Sequence, residues 1–212
     1  MKRVRLVRHG ESAANAGAAT HDHATIALTA KGVEQAQEVA RSVLYAPGLI
    51  VVSPFARAQA TASVTAAAFA SVPVETWPIE EFTYLAPARC VNTTVAQRRG
   101  WVDDYWAKAD PSHRDGEGAE SFLDLIERAR AFLDRLATHP AQDILVFSHG
   151  QFLNAVAWLL ECKQLQIDSP AMTDWRRYEI NHHVPNGGGY TLTRAQDEPI
   201  WTLDHRTNLA AD

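Results

Sequence analysis

The stretch LVRHGES, residues 6–12, ends an apolar run with an arginine, a histidine and a glycine. The run itself, residues 4–7, has the length and composition of a short buried strand. The same pattern returns in ILVFSHG, residues 144–150, where another apolar run ends in a His-Gly pair. Polar groups directly after buried strands are candidates for a functional site, so these two pairs are the starting point.

The 212 residues are 46% hydrophobic and 21% charged, which fits one globular domain over residues 1–212. The net charge of −5 gives no electrostatic footprint for nucleic acid. No apolar stretch is long enough to span a bilayer, and the first ten residues lack the apolar core of a signal peptide. Cys90 and Cys162, the only cysteines, fit reduced thiols. We expect a cytoplasmic protein with no nucleic-acid or membrane partner, and its oligomeric state stays open.

Apolar patterns along the chain alternate between the period of strands and the period of helices. Strands are predicted at residues 4–7, 49–52, 72–77 and 144–147, with two late strands inside 186–194 and 201–206. Helices are predicted after Thr29, after Ser53 and over residues 120–137 and 151–161, with Thr29 and Ser53 as N-caps and Pro54 in a first helical position. The alternation predicts a three-layer α/β/α sandwich with a mostly parallel sheet.

Parallel sheets of this kind bind ligands at the carboxyl ends of their strands. Three of the predicted strands end in polar groups: one in Arg8 and His9, one in Ser53 followed by Arg57, and one in the Ser-His-Gly stretch that contains His149. If these strands are parallel neighbours, two histidines and two arginines converge at one edge of the sheet. The first motif then lies where the fold builds a site.

The segment 82–118 fits neither the helical nor the strand period. A connection of this length inside one domain usually has a function, so we expect an insertion at about residues 82–118 that covers the active site. Arg98, Arg99 and the aromatic residues between Trp101 and Trp106 lie in it. They either shape a pocket for an anionic substrate or form a small core of the insertion, and the sequence leaves both alternatives open.

The motifs RHGESAAN (8–15), SPFARAQATA (53–62) and SHG (148–150), in this order, resemble those of the histidine phosphatase superfamily. The superfamily includes the cofactor-dependent phosphoglycerate mutases. The resemblance extends to LTAKGVEQA (28–36) and GAESFLDLIERARAFL (118–133), so it covers most of the chain. It implies a phosphoglycerate mutase-like fold.

The resemblance also implies a role for each matching residue. His9 corresponds to the nucleophile that becomes a phosphohistidine, which requires a neutral imidazole. Arg8 and Arg57 correspond to the phosphate clamp, and their charges disfavour a protonated ring beside them. His149 corresponds to the second histidine, which stabilises charge on the phosphoryl oxygens. Asn15 corresponds to a substrate-binding asparagine near the phosphoryl group.

The superfamily places a general acid after its third strand, in a pattern like Trp-x-x-x-Glu. Here WPIEEF, residues 77–82, offers Glu80 and Glu81. Neighbours on an extended chain point to opposite sides, so only one of them faces the phosphate. The spacing from Trp77 favours Glu81.

These assignments predict metal-independent hydrolysis of a phosphomonoester through phospho-His9, with no cofactor. The substrate is a small phosphorylated molecule, and a phosphoprotein is possible. The first alternative is a cofactor-dependent phosphoglycerate mutase, although Ala14 stands where mutases commonly have tryptophan. The second is a non-catalytic binding protein of the same fold. The paired histidines at 21/23 and 182/183 lack a matching carboxylate or thiolate set, so no metal site is predicted.

Overall fold

Six strands form one sheet in this computed structural model, which describes residues 1–162, 166–195 and 200–204. The strands are β1 (Lys2–Arg8), β2 (Leu49–Val52), β3 (Val74–Thr76), β4 (Asp143–Ser148), β5 (Gly189–Arg194) and β6 (Thr202–Asp204). Their order in the sheet is β3-β2-β4-β1-β5-β6. The first four in that order run parallel, β5 is antiparallel to β1, and β6 is antiparallel to β5. The prediction of a mostly parallel sheet is confirmed.

Seven helices connect and flank the strands within the described residues. They are α1 (Ala30–Ser42), α2 (Ala56–Ala68), α3 (Pro87–Cys90), α4 (Val95–Lys108), α5 (Phe122–Thr138), α6 (Gly150–Cys162) and α7 (Ser169–Asn181). None of these helices is long and apolar enough to cross a membrane.

The sheet has one apolar core on each face, and alternate residues of β4 belong to different cores. Ile144 and Val146 pack into a larger core with residues of α5, α6 and α7, whereas Leu145 and Phe147 pack into a smaller core with α1 and α2. Successive side chains of a strand point to opposite faces, so a strand buried on both faces is apolar throughout. This arrangement is the predicted α/β/α sandwich.

The predicted cap of the second helix is wrong, whereas that of the first is confirmed. The Thr29 hydroxyl accepts the Gly32 N–H at 3.1 Å and caps α1. Helix α2 begins at Ala56 with Phe55 in the capping position, three residues after Ser53. The hydroxyl of Ser53 lies 2.8 Å from Nε2 of His149 and accepts the Phe55 backbone N–H at 3.3 Å, so it bonds no N–H group of the helix itself.

Helices α3, α4 and α7 were not predicted. Helix α4 lies inside the segment 82–118 and has a capping box, in which Thr94 and Gln97 each bond the other's backbone N–H. The Trp106 ring stacks on Trp175 of α7 with their centroids 5.5 Å apart, and Tyr105 packs edge-on against Trp106. These aromatic residues therefore form the core that joins the insertion to α7, which was one of the two alternatives for this cluster.

Candidate active site

The predicted convergence of three strand ends is found in the structure. Strand β4 pairs with β1 on one side, where Ser148 is opposite Arg8, and with β2 on the other side, where Phe147 is opposite Val52. All three strands run in the same direction, so their carboxyl ends lie at one edge of the sheet. His9, Ser53 and His149 each follow directly after one of these strands.

The His9 ring is buried and uncharged, with one nitrogen unprotonated. Its Nδ1 lies 2.7 Å from the carbonyl oxygen of Gly10, which can only accept a hydrogen bond, so Nδ1 carries the proton. Its Nε2 accepts the Nε–H of Arg57 at 3.0 Å and is therefore unprotonated. Burial, the Arg57 charge and the Arg8 charge together lower the pKa of His9 to about 3, against the opposing effect of the Gly10 bond.

Arg57 is the second residue of α2, where backbone N–H groups of the first turn favour an anion. Its side chain is 6% exposed, and its Nη1 donates to the carbonyl oxygen of His23 at 2.7 Å. Burial lowers the pKa of Arg57 to about 10, so the guanidinium stays charged at neutral pH. The protein thus holds one cation against an uncharged imidazole.

Arg8, the last residue of β1, supplies a second cation. Its Nη1 donates to the carbonyl oxygen of Val184 at 2.5 Å and lies 3.4 Å from Nε2 of His183. Its Nε is buried and has no hydrogen-bond partner among the described residues. Burial lowers the pKa of Arg8, while the Glu81 charge raises it. One donor of this guanidinium is therefore unsatisfied by the described part of the protein.

His149 is fully buried behind His9. The two ring centroids are 5.1 Å apart in an edge-on arrangement, and Phe55 packs on His149 in the same way. Nε2 of His149 lies 2.8 Å from the Ser53 hydroxyl, whereas its Nδ1 has no partner in the part of the chain that is described. Burial and the Arg57 charge lower its pKa well below the ordinary value, so this ring is also neutral.

The carboxylates of Glu80 and Glu81 make different contacts in the structure. The Oε1 atom of Glu81 accepts the backbone N–H groups of Gln151 at 3.1 Å and Phe82 at 3.2 Å, and this carboxylate lines the cavity beside His9. The Glu80 carboxylate lies 3.5 Å from Nη1 of Arg128, on α5. The two neighbours thus have different surroundings, as expected for an extended segment.

Asn15 lies in the cavity lining, and Asn186 holds it there. The Oδ1 atom of Asn15 accepts the Ser12 backbone N–H at 3.1 Å and the Nδ2–H of Asn186 at 3.2 Å. Asn186 also donates to the carbonyl oxygen of His9 at 2.9 Å. Sequence reasoning missed Asn186, because the stretch that contains it was interpreted only as a turn before a strand.

The site opens into a cavity of about 280 Å³. Its polar lining residues are Arg8, His9, Ser12, Asn15, His23, Arg57, Glu81, Thr83, Arg98 and Gln151. Its other lining residues are apolar or aromatic: Ala14, Ile26, Phe55, Phe82, Tyr84, Leu85, Pro87, Cys90, Val95 and Val102. Most of this second group belongs to the segment 82–118, so the insertion forms one side of the cavity.

Two arginines beside an uncharged histidine, at the carboxyl ends of parallel strands, are typical of an enzyme that acts on phosphate esters. Residues 4–198 match the family model described as the histidine phosphatase superfamily (branch 1). The chain belongs to this superfamily, and it is a phosphomonoester hydrolase.

Similar proteins include named phosphatases. The adenosylcobalamin/alpha-ribazole phosphatase of Escherichia coli (strain K12) is 31% identical over 182 residues, which are 82% of this chain and 84% of that protein. The crystal structure of the alpha-ribazole phosphatase from Shigella flexneri has a TM-score of 0.75 at 24% identity and covers 99% of this chain and 98% of its own. A phosphoserine phosphatase from Entamoeba histolytica, solved with 3-phosphoglyceric acid, has a TM-score of 0.72 at 20% identity, with both chains fully covered. The two structures share the fold.

Proposed function

We propose that this protein hydrolyses a small phosphomonoester through a covalent phosphohistidine on His9, without a metal or an organic cofactor. The observation that carries the proposal is the pair of hydrogen bonds made by the two nitrogens of the His9 ring. Nδ1 donates to the Gly10 carbonyl oxygen, and the unprotonated Nε2 accepts the Nε–H of the Arg57 guanidinium. A nucleophile and the charge that attracts its phosphate are therefore already in place.

In the first step, Nε2 of His9 attacks phosphorus and the bond from phosphorus to the leaving oxygen breaks. The Nε–H of Arg57 now bonds to Nε2, so an incoming phosphoryl oxygen must take over this donor before the attack. Arg8 and Arg57 hold the phosphoryl oxygens through charge-assisted hydrogen bonds. Glu81, in its protonated form, gives its proton to the leaving oxygen.

In the second step, Glu81 accepts a proton from water, and the water oxygen attacks phosphorus. The N–P bond then breaks, which releases inorganic phosphate and restores the electron pair on Nε2 of His9. His149, whose neutral ring packs edge-on against His9, stabilises the charge on the phosphoryl oxygens in both steps. Asn15 completes the substrate-binding residues.

The substrate is a small phosphorylated molecule, with a phosphoprotein as the larger alternative, and the insertion 82–118 covers the active site. The phosphate ester of alpha-ribazole is the first compound to test, since the Escherichia coli relative is named for it. We infer a cytoplasmic location from Cys90 and Cys162, which are both free thiols.

The test is release of inorganic phosphate from a panel of phosphomonoesters by the wild-type protein and by His9→Ala. We expect the substitution to abolish turnover, and His21→Ala, at an exposed histidine, to leave it unchanged. Acid-labile labelling of the wild-type chain, absent in His9→Ala, would detect the phosphohistidine. Activity that persists in His9→Ala, or that a chelator abolishes, would overturn the mechanism. Isomerisation of phosphoglycerate without phosphate release would show a mutase.

A further inference from the structure

One face of α4 forms part of the cavity. Val95, Arg98 and Val102 all line it, and their spacing of three and four residues puts them side by side on a helix. Arg98 therefore lies between two valines on the face of α4 that lines the same cavity as His9. Arg99, the next residue along the chain, is exposed.

Arg98 differs from the other arginines of the cavity in having no protein partner among the described residues. Arg8 and Arg57 each donate to a backbone carbonyl oxygen, and Arg89 of the same insertion pairs with Asp115 at 2.8 Å. Arg98 is half-buried with its charge uncompensated. A partly desolvated guanidinium gains more from an anionic partner than one that is fully in water.

The part of the cavity lining that comes from the segment 82–118, to which Arg98 belongs, is mainly apolar. It includes Leu85, Pro87 and Cys90, and Ile26 comes from the segment after the first motif. Such a surface favours an apolar group over a hydrated one. Glu81 is the single carboxylate in the described lining, and it already accepts two backbone N–H groups.

We propose, on the basis of the function proposed above, that the substrate is a phosphomonoester whose alcohol part is apolar and carries one carboxylate, which Arg98 selects. The phosphate end lies between Arg8 and Arg57, and the apolar part lies against the insertion. The guanidinium of Arg98 has a planar fork of N–H groups that matches a carboxylate in two parallel hydrogen bonds. Arg98 is thus a specificity-determining residue.

The test compares phenyl phosphate with 3- and 4-carboxyphenyl phosphate, which share the apolar ring and differ in the second anion. We expect the wild-type protein to have a kcat/KM about tenfold higher for the better carboxylated ester. Arg98→Met should abolish this preference, and the matched control Arg99→Met should keep it. An equal preference in the wild type and in Arg98→Met would overturn the proposal.

A binding measurement separates this selection from the chemistry. Calorimetric titration of the His9→Ala protein should give a Kd about tenfold lower for the better carboxylated ester than for phenyl phosphate. The double variant with Arg98→Met should bind both esters equally. If wild-type turnover is absent while this difference in Kd is found, the proposed hydrolysis fails and the selection stands. If turnover is found while the Kd values are equal, the selection fails and the hydrolysis stands.

Discussion

A change of pH from 7 to 5 should leave His9 uncharged. Its pKa of about 3 lies well below the ordinary value of 6.5, mainly because the ring is buried and because Arg57 is beside it. At pH 5, about 99% of the rings would then be neutral, against about 3% for an ordinary histidine. The proposed nucleophile would therefore stay unprotonated at Nε2 through the whole range in which most histidines become protonated.

Nitrogen NMR of the histidine rings measures this state directly, because protonated and unprotonated ring nitrogens have different chemical shifts. We expect the His9 signals to show a proton on Nδ1 and none on Nε2 between pH 7 and pH 5. The spectrum of His9→Ala identifies which signals belong to this ring. A midpoint near 6.5, or a proton on Nε2 at neutral pH, would refute the reasoning from the Gly10 and Arg57 contacts.

Substitution of Arg57 tests the cause of the shift. Arg57→Met removes the charge nearest to Nε2, so the pKa of His9 should rise, yet stay below 6.5, since burial is the larger cause. Arg98→Met is the matched control, because Arg98 lines the same cavity without contributing to the pKa of His9. A rise of similar size in both variants would show that the local contact is not the source.

Two further predictions concern the acid and the first glycine. Glu81→Gln should lower kcat by about 10²–10⁴-fold, whereas Glu80→Gln, outside the cavity, should change it little; steady-state kinetics with equal losses would contradict the assignment. A Cβ at Gly10 would lie 2.3 Å from the carbonyl oxygen of Gly32, so Gly10→Ala should lower the free energy of unfolding by about 1–3 kcal/mol. At Gly100, in α4, a new Cβ would meet no atom within 4 Å beyond its chain neighbours and the helix's own backbone, so Gly100→Ala should not lower the free energy of unfolding. Urea denaturation of both variants would show whether steric contact decides.

The sheet and the centre of the site could be predicted because both depend on short-range patterns. Strand β4 is a continuous apolar run, buried on both faces, and such runs have few alternative structures. Once the strands are parallel, their carboxyl ends meet, and the polar residues that follow them meet as well. His9 and His149 could therefore be placed together although 139 residues, numbers 10 to 148, lie between them.

Ser53 shows why local signals fail at a functional site. A serine followed by proline is a strong signal for a helix start, yet the hydroxyl lies 2.8 Å from His149 and α2 begins later. A tertiary hydrogen bond inside the site competes with the cap, and nothing within a few residues of Ser53 reveals that partner. Asn186 is a second residue whose partner is distant in the sequence, because its side-chain amide donates to the carbonyl oxygen of His9, 177 positions away.

Helix α4 was missed for a different reason, which bears on substrate selection. A helix that covers a core has an apolar stripe, but the face of α4 that lines the cavity has Arg98 between Val95 and Val102, and Val95 is 57% exposed. The side chains on this face line a cavity that a substrate would fill, and they do not pack against the protein core. This face of α4 therefore lacks the regular apolar spacing of a helix that covers a core. The positions of the residues proposed to contact the reacting phosphate follow from sheet topology, whereas the residues proposed to contact the rest of the substrate depend on the ligand. For this reason the class of reaction can be predicted from the sequence, whereas prediction of the substrate requires the structure of the cavity.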